Sequence, residues 1–336
     1  MSEQTNIGGS SRPSNECTRI SLGSPPTEQT AFGPRESFIV AYDRIATLAK
    51  LARRPSVVVA AVGPYGQVLE ALLVEDRRAL VVGRHTHCAL RLSGESVSLR
   101  HLALLVRYDE QGAPVVHLWD LNTGHPFLTE DQQPSAAVIA EGPVYAAIGS
   151  SSLWVVPSGG VADKGWPAQA ETAWHMLAPR QFIDRRSPRA LVGTPRPQRL
   201  SSRHARDPEH SFITMLGPAL ALDDSDDELP WGEIRIELSG HKQKRRVSAE
   251  RLEQGVLIGR YERCGIAFSD RHRNVSRVHL LLVRIAGEIW AIDTASTHGL
   301  WRGEHRVTAE VLADPDQLKL GDVATVSWRR LPMAAA

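Results

Sequence analysis

RNVSRVH, residues 273–279, places a serine, two arginines and a histidine within seven positions of a chain that otherwise carries little clustered polar chemistry. A looser relative, SVSLRH, stands at 96–101. Ser276 and His279 could be a nucleophile with its base, a phosphate grip, or a polar turn. The surrounding sequence narrows the choice. LVVGRHTHCAL (80–90) aligns with VLIGRYERCGI (256–266), each with Gly-Arg and each with a cysteine four residues after the arginine. SLRH (98–101) then matches SRVH (276–279). WDLNTGHPF (119–127) matches IDTASTHGL (292–300), with Asp and His in the same relative places. The order and approximate spacing agree from block to block, so a whole domain is repeated rather than a short solenoid unit.

Each repeat lies among short β-rich runs separated by turn residues. SVVVAAV, ALVVGR, HLALLVRY and VVHLWDL fall in residues 55–157, and EIRIEL, GVLIGR, VHLLLVRI and EIWAID in residues 231–332. That pattern predicts two antiparallel β-sandwiches and an all-β class. Residues 1–35, rich in Ser, Thr, Gly and Pro, offer too little apolar surface to offset the entropy of ordering and read as a disordered tail. In residues 36–54, Phe38, Tyr42, Ile45, Leu48 and Ala52 recur at helical spacing before Pro55, which predicts an amphipathic helix docked on the first sandwich. Residues 158–230 read as a long, partly disordered charged linker with Arg, Pro and Ser, in which WHML and HSFITML could dock as short elements.

Hydrophobic residues make up 42% and charged residues 23% of the 336, a globular balance. The net charge of +1 gives no global argument for nucleic acid or membrane. No apolar run reaches bilayer length, and the N-terminus lacks a basic start and apolar core. Cys17, Cys88 and Cys264 make neither a CxxC pair nor a disulfide framework, which fits a reducing cytoplasm. Cys88 and Cys264 read as small core residues of equivalent strands. The histidines lack metal-ligand spacing, and no metal or cofactor is expected.

Catalysis finds little support. A serine with a histidine three residues on, in a strand or tight turn, does not readily form a nucleophile–base pair. G-x-S-x-G, Walker A and H-E-x-x-H signatures are missing. Binding fits better: Arg260 at a strand end, the Ser276 hydroxyl beside Arg277, and the Ser296-Thr297 turn are all donors suited to phosphate oxygens.

In order, Gly259-Arg260, Ser276-Arg277-Val278-His279, Asp293-Thr-Ala-Ser296-Thr297-His298-Gly299 and Leu318-x-x-Gly321-Asp322 resemble the motifs of the forkhead-associated (FHA) domain. That family is a phosphothreonine-peptide-binding β-sandwich, and the resemblance covers about 231–332. It implies that Arg260 and Ser276 hold the phosphate, that Thr297 adds a contact there, and that Arg277 lies beside the peptide. His279 would be a structural prop, and Gly259, Asp293, Ser296 and Gly299 would support the loops. The family usually has Asn where this chain has His298, which would alter the grip on the peptide backbone. The first repeat resembles the family less well. Arg84, Ser98, Thr123 and His125 outline a possible weak site, but Leu99 replaces the motif arginine, Gly124 takes the place of Thr297, and Pro126 that of the closing glycine.

The resemblance implies a non-enzymatic adaptor whose second domain reads a phosphothreonine-containing protein, a substrate of a Ser/Thr kinase. A phosphate-independent scaffold built on repurposed FHA folds is the alternative. A nucleic-acid-associated regulator using the Arg-rich linker is a weaker one.

Overall fold

The computed structural model describes residues 32–159, 165–186, 210–217, 229–238, 240–268 and 272–332. The expected N-terminal tail up to residue 31, most of the Arg-rich stretch and the acidic cluster at 223–228 lie outside the described residues.

The two repeats fold as two β-sandwiches. In the second, a sheet ordered His241–Val247, Gly232–Leu238, Ala324–Arg330, Asp316–Leu320, Leu300–Arg302, His305–Val307 faces a second sheet. That one is ordered Ile266–Ala267, Val256–Gly259, Leu280–Ile285, Glu288–Asp293, Ala309–Leu312. The side-chain alternation of a strand explains the core: Leu280 and Leu282 point between the sheets with Ile234, Ile258, Val326 and Trp328.

The first sandwich repeats this plan and enlarges it. One sheet runs Val68–Glu75, Ser56–Val62, Ser151–Pro157, Val144–Ile148, Phe127–Leu128, Pro134–Ser135. The other begins with two strands drawn from the segment read as a linker, Arg180–Asp184 and Ser211–Leu216. It continues through Ala137–Glu141, Pro114–Asp120, Leu102–Tyr108, Arg78–Gly83 and Leu90–Arg91. Ser211–Leu216 pairs antiparallel with Ala137–Glu141, and Arg180–Asp184 pairs parallel with Ser211–Leu216. The linker is therefore shorter than its composition suggests, because its apolar patches extend the sheet edge.

Every residue of Ser56–Val62 is buried, which needs a cover on its outer face. The helix Pro34–Leu51 provides it, with proline at its start where the missing N–H costs nothing. Phe38, Tyr42 and Ile45 pack on Val58, Ala60, Val62 and Trp154, joined by the short helix Ala170–Met176 through Ala173. The helix is thus a docked element of the first sandwich.

The remaining outer faces meet each other. Leu281, Val283 and Ile285, the alternate set on their strand, pack with Leu257, Trp290 and Ile292 against Val81, Ala103, Leu105, Trp119 and Leu121 of the first sandwich. By the repeat, Val81 matches Leu257, Ala103 matches Leu281, Leu105 matches Val283 and Trp119 matches Ile292. Both copies present the same face, an internal counterpart of an isologous dimer contact. Arg107 pairs with Glu288 at 3.2 Å at one end of this contact. At the other end the candidate binding loops of both copies come together. Cys264 is buried in this interdomain cluster with Cys88 packed beside it. Both thiols sit in turns, where they donate to the Arg277 and Leu99 carbonyls at 3.3 Å. The two cysteines thus belong to the contact between sandwiches rather than to strands inside either one.

Candidate phosphopeptide site

Gly259 ends its strand because nothing larger fits: a Cβ there would lie 2.2 Å from the Arg277 carbonyl oxygen. This close approach lets two loops lock together. The Arg260 N–H donates to the Ser276 carbonyl (3.0 Å), Tyr261 N–H to the Arg277 carbonyl (2.8 Å), and His279 N–H to the Ile258 carbonyl (2.9 Å). Arg260 Nε donates to the Val275 carbonyl at 2.6 Å, which fixes one edge of the guanidinium fork beside Ser276.

His279 is fully buried. Its Nδ1 accepts from the Ser276 N–H (3.1 Å) and its Nε2–H donates to the Gly299 carbonyl (3.0 Å), so one neutral tautomer serves both bonds. Burial lowers its pKa from 6.5 to about 4, aided by the charges of Arg100 and Arg306 and opposed by the Gly299 hydrogen bond. A protonated ring would present N–H to N–H at Ser276 and break the link.

The third loop is fastened carbonyl by carbonyl. Arg306 donates to Ser296 O (3.2 Å), the Trp301 indole to His298 O (2.8 Å) and His279 to Gly299 O. Within the loop, Asp293 accepts from Ser296 N–H (3.1 Å) and Ser296 Oγ accepts from Gly299 N–H (2.9 Å). Burial raises the Asp293 carboxyl, while its bonds to Ser296 pull it back. Thr297 and His298 remain exposed at the tip. Thr297 N–H donates to Ser276 Oγ at 3.0 Å, so the serine oxygen joins two loops and still carries a proton to donate. Arg260, Ser276 and Thr297 thus converge, with exposed Arg277 alongside.

His298 stands over Gly321, whose Cβ position would be 2.9 Å from the His298 Cβ. Beyond it opens a cleft of about 470 Å³ lined by Trp301, Lys319, Asp322 and Thr325. Asn274 contacts Asp322 at 3.4 Å, tying the serine loop to the last motif. Trp301, Arg306 and Asn274 were not singled out as site residues from sequence, and Asp322 only as part of the last motif. Each acts through a backbone carbonyl or a long-range contact that spacing does not reveal.

The first copy keeps the frame. Arg84 Nε bonds the Val97 carbonyl, Ser98 N–H donates to His101 Nδ1 (3.1 Å), and His101 Nε2 bonds the His125 carbonyl (3.0 Å). The first two match the Arg260 and Ser276 bonds, and the third corresponds to the His279 bond shifted to the carbonyl one position earlier in the repeat. Burial likewise lowers His101 to about 4 and raises Asp120 to about 6. Thr123 turns its hydroxyl onto Asp120 at 2.6 Å, the role that Ser296 has in the second copy, rather than presenting it at the tip. Gly124, at the Thr297 position, has Arg263 of the second domain against it; a Cβ there would lie 2.5 Å from Nη1.

Residues 256–323 match the family model for the FHA domain. Among solved structures, the chain is similar to the Mycobacterium tuberculosis Rv1747 FHA-1 domain, at 22% identity over 30% of this chain and 99% of that one, TM-score 0.25. It is also similar to the Slr1951 protein of Synechocystis sp., at 21% identity over 30% and 99%, TM-score 0.27. A third, from work on phosphothreonine-dependent FHA domain interactions, has 25% identity over 30% and 99%, TM-score 0.24. No curated protein matches the chain. The match to the FHA family model falls within the second sandwich, and the first sandwich repeats that sandwich's loop frame. Among the described residues, no helix is long and apolar enough to cross a membrane, and no cluster of three or more His, Cys, Asp or Glu side chains could hold a metal ion.

Proposed function

We propose that the chain is a phosphothreonine-peptide-binding adaptor in Ser/Thr kinase signalling, with the second FHA domain as reader. The observation that supports this most is the convergence of Arg260, Ser276 and Thr297 on one loop edge, braced by a buried neutral His279. An arginine fork and two hydroxyls match a phosphate's oxygens, and His279 does not serve Ser276 as a base, because it spends both ring nitrogens on backbone groups. The site therefore holds a ligand rather than attacking one. Its partner is a phosphorylated protein, the substrate of a Ser/Thr kinase. The first domain fits the scaffold reading better, because Gly124 replaces the tip hydroxyl and Arg263 covers it.

The test is fluorescence-polarisation binding of the full chain to a labelled degenerate phosphothreonine peptide library, with unphosphorylated and phosphoserine libraries as controls. Charge-assisted bonds of roughly 1.5–3 kcal/mol each, less the cost of ordering a peptide, place affinity at about micromolar. Arg260→Ala is expected to weaken it at least about tenfold, the loss of one such bond. Binding that ignores the phosphate or Arg260 refutes the assignment.

A further inference from the structure

The second domain's peptide loop is held from outside its own domain. Arg100 of the first sandwich donates from Nε (2.9 Å) and Nη2 (2.8 Å) to the carbonyl of Ala295, a fork closed on one oxygen across the contact between sandwiches. Ala295 lies two residues before Thr297 and has φ +57°, a left-handed conformation that strains a residue with a Cβ. Such a backbone persists where its surroundings hold it. Ser296, His298 and Gly299 are held by the second domain's own Arg306, Trp301 and His279; the strained residue between Asp293 and Ser296 is held by the first.

The contact is part of an exchange between the two loop sets. Asn122, in the third-motif loop of the first copy, donates to the Arg263 carbonyl at 2.6 Å, and the Arg263 side chain lies against Gly124. The repeat does not dictate the arrangement. The residue matching Arg100 is Val278, so the arginine is particular to the first copy and its target to the second.

We propose that the phosphopeptide site is a two-domain site, in which Arg100 is a positioning residue that sets the Ala295–Gly299 loop and so places Thr297 beside Ser276. The proposal rests on the reading of the second domain as a phosphothreonine reader. It gives the degenerate first copy a role that needs no ligand of its own.

The test compares full-length wild type, Arg100→Met, which keeps the apolar stem and removes the fork, and Arg100→Lys, which keeps the charge and can restore one bond. Two readouts are taken: amide hydrogen exchange and polarisation binding to the labelled phosphothreonine library. In Arg100→Met, the amides of Ser296, Thr297 and Gly299 are expected to exchange faster while those of Leu280–Ile285 keep their protection. Affinity is expected to fall roughly fivefold, the worth of about one net hydrogen bond, and Arg100→Lys to recover part of both changes. The core-strand amides separate loop release from general destabilisation. Unchanged affinity in Arg100→Met, in an assay where Arg260→Ala loses binding, overturns the positioning role and leaves the phosphothreonine reading intact. If the wild type ignores the phosphothreonine library, that reading falls instead, and loop exchange alone decides the positioning: wild-type protection in Arg100→Met overturns it.

Discussion

The neutral histidine under the site makes the second domain acid-sensitive in a calculable way. His279 is held at about 4 in the folded chain against an ordinary 6.5, first by burial and then by the charges of Arg100 and Arg306. A histidine whose folded pKa is lowered contributes stability that is fully present above 6.5 and is lost as pH falls towards 4, because the unfolded chain takes up the proton first. Each pKa unit carries about 1.4 kcal/mol, so between pH 7.5 and 4.5 this one side chain withdraws roughly 2.5 kcal/mol. His101, also at about 4, adds a loss of the same sign in the first domain. Asp120, raised to about 6, and Asp293, also raised, act in the opposite direction, since folding strengthens their hold on a proton as pH falls. Whole-chain unfolding curves therefore blend the terms, and the residue must be read directly. Nitrogen-15 spectra of the imidazoles are expected to show His279 as the Nε2–H tautomer with no titration between pH 8 and 5. In urea unfolding, His279→Gln is expected to flatten the fall of stability below pH 6.5. A His279 ring that titrates near 6.5 in the folded protein would refute the reasoning.

Three further outcomes follow from particular contacts. Gly259→Ala forces a Cβ to within 2.2 Å of the Arg277 carbonyl and is expected to cost about 1–3 kcal/mol by overpacking; an unchanged urea midpoint would count against that close approach. His298→Asn restores the residue usual in the family and is expected to tighten phosphothreonine-peptide binding roughly threefold, a fraction of one hydrogen bond; weaker binding in the same polarisation assay would mean His298 makes its own contact with the ligand. Leu281→Asp places a carboxylate in the interdomain cluster, where an unpaired buried charge costs about 3–5 kcal/mol, without touching the core positions 280 and 282; calorimetry is expected to split one transition into two, and a single unshifted transition would refute the shared face.

Much of this was legible in the sequence. The repeat gave two sandwiches, and Gly259, Arg260, Ser276 and Thr297 stand where the motif order put them. Two things were less legible, for different reasons. HSFITML and WHML do dock as short elements, as Ser211–Leu216 and the end of Ala170–Met176, but Arg180–Asp184 is submerged in a stretch whose composition is that of a linker, and a short edge strand has too little pattern to outweigh its flanks. The contact between sandwiches did leave a trace. HLALLVRY and VHLLLVRI are apolar at successive positions, whereas a strand with one wet face alternates. Ala103 and Leu105 in one run, and Leu281 and Val283 in the other, are the residues that break alternation, and they are the residues that meet.

That contact changes what counts as the functional unit. Cut away from its partner, the second domain would expose Leu257, Leu281, Val283, Trp290 and Ile292 as one continuous apolar face, the kind of surface that drives association. It would also lose the Arg100 fork from Ala295. Weak binding by residues 231–332 alone would then report a damaged loop rather than a site without affinity for phosphothreonine. The first copy can therefore lose its tip hydroxyl and its motif arginine and still constrain binding, because what the second domain takes from it is a face and an arginine fork. Substitutions at Ala103, Leu105 or Arg100 should accordingly affect phosphopeptide binding more than the loss of any anion-binding group at Ser98.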